Sequence, residues 1–265
     1  MDSNTYDKYL FNSLTSTKHI KEKTVYYDKE YLKQLLISLA DNDCVDKYLI
    51  ELSKNSKGTK MCSVGSSSRL CYLSAITKRI DIDELEKTDL YNDCCFPHYD
   101  GYNKTTNTFY EFKCHELCSE KHSKKLSNKY ANLLNQYFGI SVSKPLTELV
   151  FQDFGDFGNY NNKSIFDINF DFKQFLCHVL GILGQIDNPK KPTLEYVWII
   201  PSKQDENDLQ EFIEKVEEEI RFMFKCFSEI KINYRGSKRD IGTIVNFELT
   251  KIDIATIKDP FLENL

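Results

Sequence analysis

FPHYDGYNKTTNTFYEFKC, residues Phe96–Cys114, decides how the rest of the chain is read. Two short arms flank a turn of Asn, Lys and Thr, the pattern of paired strands with a polar connection. Strand side chains alternate faces, so on the second arm Glu111 and Lys113 point one way while Tyr110, Phe112 and Cys114 point the other. Asp100 stands on the first arm. Two carboxylates and an ammonium then converge at one end of a hairpin. Oxygen ligands of this kind suit Mg2+ or Mn2+, with a lysine to hold a water or a phosphate. The competing reading is a surface cross-strand ion pair, worth under about 1 kcal/mol.

An acidic-x-Lys tripeptide carries little information alone. With 40 acidic and 35 basic residues in 265, roughly five acidic-x-basic pairs are expected by chance, so context must select among them. There are three acidic-x-Lys cases: Glu111-Phe-Lys113, Asp171-Phe-Lys173 and Glu229-Ile-Lys231. Asp171 opens a predicted helix, where residues two apart do not share a face. Glu229 follows acidic residues that lie on a helix, with no partner strand between. Only Glu111 follows an Asp on a neighbouring strand at hairpin distance.

Working outward from the hairpin, the acidic, alternating run Ile80–Leu90 predicts a strand leading into it. Before that, VGSSSRLCYLSAI (Val64–Ile76) predicts a helix with Leu70, Leu73 and Ile76 inward and serines at its start. Those serines are read first as caps. Ser67, Ser68 and Arg69 are also candidates for holding a phosphate on the helix N-terminus. Residues 1–60 read as helical: Tyr31, Leu32, Leu35, Leu36 and Leu39 recur at helical spacing, as do Val45, Tyr48, Leu49 and Leu52. The expected division is a helical N-terminal extension over 1–60, packed on a main domain over 61–265, with Ser53–Lys60 as a polar linker.

Downstream, Lys129–Phe138 predicts a helix closed by Gly139. Residues 153–162 read as an exposed loop. Its Asp153-Phe-Gly155 is discarded as a kinase motif, because no companion motif accompanies it. From Asp171 the chain predicts a buried helix that carries Gln174 and His178 on one face. The safer reading of His178 is a hydrogen-bonded core histidine. Leu194–Ile200 is apolar on both faces and stopped by Pro201, as befits a covered sheet interior. Leu209–Phe227 predicts an amphipathic helix, and Ile230–Tyr234 and Thr243–Leu249 predict strands around the basic turn Arg235–Arg239. The succession suggests an α/β protein with a mixed sheet and helices on both sides.

Bulk properties bound the function. Hydrophobic content of 41% and aromatic content of 13% fit a globular chain. No apolar run approaches a membrane span, and no signal peptide opens the sequence. Nine scattered cysteines read as reduced thiols, so a cytoplasmic location is expected. The net charge of −5 argues mildly against nucleic-acid binding. A metal-dependent nuclease keeps acidic residues in its site, however, and a local basic face survives an acidic total. Cys114, His115, Glu116, Cys118 and His122 match no closed four-ligand zinc spacing.

Asp on one strand, Glu-x-Lys on the next, a helix carrying Gln and then an apolar strand resemble the PD-(D/E)XK nuclease superfamily. SSSRLC (Ser66–Cys71) and YEFKCHE (Tyr110–Glu116) look more specifically like uncharacterised bacterial restriction-type nucleases. The resemblance spans roughly residues 62–201. It implies a restriction-endonuclease-like core of helix, three strands, helix and strand. It makes Asp100 and Glu111 metal ligands for Mg2+ or Mn2+, Lys113 the catalytic lysine and Gln174 the polar residue of the second helix, and the chemistry of the hairpin adds the Phe112 carbonyl as a candidate metal ligand. The activity implied is phosphodiester hydrolysis of DNA, and double-strand cutting would favour a homodimer. A catalytically silent module of the same fold, binding nucleic acid or a protein, is the alternative. Many members carry a further Glu on the first helix, and Ser66–Lys78 contains none.

Overall fold

Five strands build one mixed sheet: β1 (Glu84–Lys87), β2 (Tyr99–Asn103), β3 (Thr108–Lys113), β4 (Thr193–Ile200) and β5 (Asn246–Asp253). The structure is a computed structural model. It describes residues 1–14, 20–21, 26–38, 49, 52–53, 62–87, 90–91, 94–95, 97–120, 122, 130–139, 159–165, 167–184, 190–202 and 206–257. Across the sheet the order is β5-β4-β3-β2-β1. β1, β2 and β3 form an antiparallel meander, whereas β4 runs parallel to both β3 and β5. The chain is therefore α/β, with helices packed against a mixed central sheet.

The hairpin forms where its residues predict it. Asn107 adopts a left-handed φ of 58° in the turn, a conformation asparagine tolerates better than most residues. β3 is buried along its whole length because it lies between β2 and β4. β4 is covered on both faces, with Glu195 and Ile200 half-buried, which explains why it is largely apolar.

Among the described residues, the five longest helices are α1 (Ser3–Asn12), α2 (Lys29–Ser38), α3 (Ser67–Ile76), α4 (Phe172–Gly184) and α5 (Asn207–Glu229). α3 starts at the expected serines: Ser66 is the N-cap, and its side chain accepts from the Arg69 N–H. α4 is apolar nearly all round and buried accordingly. Phe175 of α4 meets Tyr196 of β4, Phe224 and Phe227 of α5, and Phe247 of β5, so one aromatic cluster locks two helices to two strands. Tyr130, Leu133, Leu134 and Tyr137 are buried, on a short helix that widens into a π-helical turn and ends at Gly139 with φ 71°.

Four expectations are corrected. The first 60 residues are not all helical, because Ile20–Lys21 and Tyr26–Tyr27 pair as a small antiparallel ribbon. The predicted basic turn at 235–239 is half strand. Lys231–Tyr234 pairs with Ser237–Asp240 about a turn at Arg235-Gly236, where both φ angles are positive. β5 begins at Asn246 rather than Thr243, and its partner is β4. The loop predicted over 153–162 closes as a tight ribbon at its end, Asn159–Tyr160 with Lys163–Ser164, on two left-handed asparagines. The helix predicted around 45–52, the linker 53–60 and the earlier part of that loop fall largely outside the described residues.

The N-terminal residues share the sheet's core. Tyr6, Leu10, Leu32 and Leu52 belong to the same buried cluster as β3, β4 and α4. The Tyr6 hydroxyl donates to the Ile199 carbonyl at 2.9 Å, where α1 lies against the end of β4.

Candidate active site

At the end of the β2–β3 ladder the backbone pairing stops and a side chain takes over. The last paired residues are Gly101 and Tyr110. One step on, the Asp100 carboxylate accepts from the Phe112 N–H at 2.7 Å. A strand residue points its N–H and C=O to the same edge, so the Phe112 carbonyl also faces the Asp100 side.

On the neighbouring residues, Glu111 and Lys113 share a face as the strand period requires. Lys113 Nζ donates to Glu111 Oε1 at 2.6 Å and to Gln174 Oε1 at 2.7 Å. Gln174 Nε2 donates back to Glu111 Oε1 at 2.8 Å. The three side chains close a ring of hydrogen bonds between β3 and the first turn of α4. Asp171, at the helix start, accepts from the Gln174 N–H and sets that first turn. Glu111 and Lys113 are 4% and 7% exposed, so the pair is buried rather than a solvated surface bridge. Burial works against the Lys113 ammonium, but the charge of Glu111, then that of Glu116, and the hydrogen bond to Glu111 outweigh it. The Lys113 pKa is therefore raised above the ordinary lysine value.

Asp100, Glu111, Lys113 and Gln174 line one cavity of about 480 Å³ with Ser67, His98, His115, Glu116, His122 and Asp171. Glu116 accepts from the Ser67 hydroxyl and from the Cys114 N–H, each at 2.8 Å, which brings a third carboxylate to the start of α3. The remaining phosphate candidates are placed differently. The Arg69 guanidinium is buried and donates to the carbonyls of Ser63 and Val64. Ser68 is also buried.

His122 and Asp171 form a second pair. His122 Nε2 lies 3.1 Å and 3.2 Å from the carbonyls of Ile168 and Asn169, and Nδ1 lies 3.5 Å from Asp171. Burial pulls the His122 pKa down, but the Asp171 carboxylate and the two carbonyls prevail and the net shift is upward. Burial likewise raises the Asp171 pKa, and the bonds from His122 and the Gln174 N–H more than reverse it. His178 sits behind Glu111, 1% exposed, with Nε2 3.6 Å from Glu111 Oε2. Burial lowers its pKa, Glu111 opposing and Lys113 adding, so this approach is that of a neutral imidazole and too long for a hydrogen bond.

The Cys114–His122 residues separate. The Cys114 side chain turns into the core toward the Ile199 carbonyl. His115 pairs with Asp7, 2.9 Å away, and burial pushes the Cys118 thiol up to about 12. Among the described residues no cluster of three or more His, Cys, Asp or Glu side chains is set to hold a metal. Four carboxylates line the cavity, Asp100, Glu111, Glu116 and Asp171, and the expected metal set draws on two of them, Asp100 and Glu111, with the Phe112 carbonyl. That set fits Mg2+, which takes one or two carboxylates and keeps several waters.

Sequence reasoning missed Asp7, Ser67 with Glu116, and His122 with Asp171. Partners 108, 49 and 49 residues apart leave no periodic signal. Compared with known proteins, the chain matches no family model, no curated protein and no solved structure.

Proposed function

We propose that this protein is a divalent-metal-dependent nuclease that hydrolyses phosphodiesters of DNA, built on a PD-(D/E)XK-like core. The single observation that carries the reading is the convergence of Asp100, Glu111, Lys113 and Gln174 on one cavity. The element order α3, β1, β2, β3, α4, β4 around that cavity is the order the resemblance implies.

Asp100, Glu111 and the Phe112 carbonyl would hold Mg2+ or Mn2+. Such an ion supplies Lewis-acid polarisation of the phosphoryl oxygens and lowers the pKa of a bound water. The chain's own groups do the remaining work. Lys113 presents a fixed positive charge beside a phosphate that becomes more negative as it reacts. Gln174 holds Lys113 and Glu111 in register, so neither reorients during reaction. The β2–β3 pairing ends at Gly101 and Tyr110, which leaves the Asp100 carboxylate rather than backbone at the Phe112 edge.

The test is incubation of supercoiled plasmid, single-stranded DNA and RNA with the full chain in Mg2+ or Mn2+. Cleavage of DNA that is abolished by EDTA, by Lys113→Ala and by Asp100→Ala is the expected result. Absence of cleavage on every substrate with both metals overturns the proposal.

A second reading has its own support. Glu111 Oε1 already accepts two hydrogen bonds from protein groups, as a carboxylate does in a site kept for structure. A catalytically silent module predicts DNA or protein retention that is indifferent to EDTA and to the Lys113 change.

A further inference from the structure

Asp7, Ser63, Gly65 and His115 meet beside the cavity from three separate parts of the chain. Asp7 lies on α1 and is 5% exposed. Its Oδ1 is 2.9 Å from His115 Nδ1, and its Oδ2 accepts from the Ser63 hydroxyl at 3.2 Å. The Ser63 hydroxyl in turn accepts from the Gly65 N–H at 3.2 Å. Gly65 is the spacer that permits this meeting: a Cβ there would stand 2.2 Å from Asp7 Oδ1 and 2.5 Å from His115 Nδ1. The imidazole itself lines the cavity that holds Asp100, Glu111 and Lys113.

A carboxylate oxygen at Nδ1 places the ring hydrogen there and makes Nε2 the basic nitrogen. A buried, doubly anchored carboxylate also stabilises the imidazolium that forms when Nε2 gains a proton. Hydrolysis in this cavity needs such a group. Lys113 is a donor to both Glu111 and Gln174, and His122 faces two carbonyls through Nε2 and Asp171 through Nδ1. His98 is exposed and lies on the residue before β2.

We propose that His115, oriented by Asp7, is the base that takes the proton of the attacking water. The inference rests on the nuclease reading given above. The water oxygen bonds to phosphorus as one of its protons passes to His115 Nε2. The phosphorus–oxygen bond to the leaving group breaks, its electron pair stays with the leaving oxygen, and that oxygen takes a proton from solvent. His115 then returns its proton to solvent. Asp7 is a positioning residue. Among the described residues, Asp7 from α1 pairs with the ring, and the charged and titratable groups that share its cavity are His98, Asp100, Glu111, Lys113, Glu116, His122 and Asp171.

The test uses the full chain with Mg2+ and a plasmid substrate, comparing wild type, Lys113→Ala, His115→Ala and Asp7→Asn. Loss of a general base lowers the cleavage rate by about 10²- to 10⁴-fold. The His115→Ala loss is expected to fall on kcat rather than KM and to be partly restored by added imidazole. Asp7→Asn is expected to displace the acid limb of the pH–rate profile, which a merely structural role would not do. ¹⁵N imidazole NMR of the unmodified protein gives an independent readout: His115 is expected as the Nδ1–H tautomer, and Asp7→Asn is expected to abolish that preference. Wild-type cleavage that is lost in Lys113→Ala but intact in His115→Ala overturns this inference and leaves the nuclease reading standing. A His115 found as the Nε2–H tautomer overturns it without any activity measurement. A wild-type protein that cleaves nothing overturns the nuclease reading and this role with it.

Discussion

Lys113 Nζ and Glu111 Oε1 lie 2.6 Å apart, and neither side chain is more than 8% exposed. Such a pair is costly to break from one side, because the surviving charge stays buried alone. Lys113→Met is expected to destabilise the protein by about 3–5 kcal/mol. Glu111→Gln with Lys113→Met together should cost less than the sum of the single changes, since no lone charge is left. Urea denaturation of the four proteins measures the coupling. Additive losses would mean that Gln174 alone satisfies whichever partner remains.

Gly181 sits in the middle of α4, where glycine is otherwise unfavourable by about 1 kcal/mol. Its reason is the close approach of the hairpin: a Cβ would stand 2.6 Å from the Tyr99 hydroxyl and 2.9 Å from Pro97 Cγ. That hydroxyl donates to the His178 carbonyl at 2.8 Å, one of the bonds tying β2 to α4. Gly181→Ala is expected to cost about 1–3 kcal/mol through overpacking, despite its better helix propensity. Thermal unfolding of the variant checks this, and an unchanged or raised Tm would show that the hairpin yields without loss.

How much of this was legible in the sequence follows from distance along the chain. The Glu111–Lys113 alignment is a two-residue period, and the strand from 193 announces itself by β-branched and aromatic residues. Gln174 was readable once α4 was, because Asp171 opens that helix. Asp7 carries no such signal, since its partner lies 108 residues away and its own helix has ordinary periodicity. The ribbon at 237–240 escaped notice because Ser-Lys-Arg-Asp has strand geometry without apolar alternation. Its pairing with 231–234 is imposed by the turn at Arg235-Gly236.

Two histidines give the protein opposite pH responses. The His122 pKa is raised above 6.5, so its stabilisation is present below that value and is lost as pH rises through the folded-state pKa. The Asp171 pKa is lowered below 3.8, so its share is present above that value and is lost as pH falls through its folded pKa. The His178 pKa is lowered below 6.5, so burying it neutral costs stability as pH falls from 6.5 toward its folded pKa. Urea midpoints followed from pH 4 to 9 are expected to lose their alkaline slope near neutrality in His122→Gln and part of their acid slope in His178→Gln. Parallel profiles for wild type and both variants would refute these assignments.

Metal binding gives a readout that does not depend on finding a substrate. An ion that binds only the folded chain raises stability by RT ln(1 + [L]/Kd), about 2.7 kcal/mol at a hundredfold excess over Kd. Mg2+ or Mn2+ is therefore expected to raise Tm by several degrees, and EDTA should reverse the shift. Asp100→Asn and Glu111→Gln should each remove most of the response, because the proposed metal donors are those two carboxylates and the Phe112 carbonyl. Asp171→Asn should leave it intact, since that carboxylate serves His122 and the α4 start. Equal shifts in all four proteins would place the ion elsewhere. No shift in the wild type would favour the silent module, in which Lys113 and Gln174 hold Glu111 for structure alone.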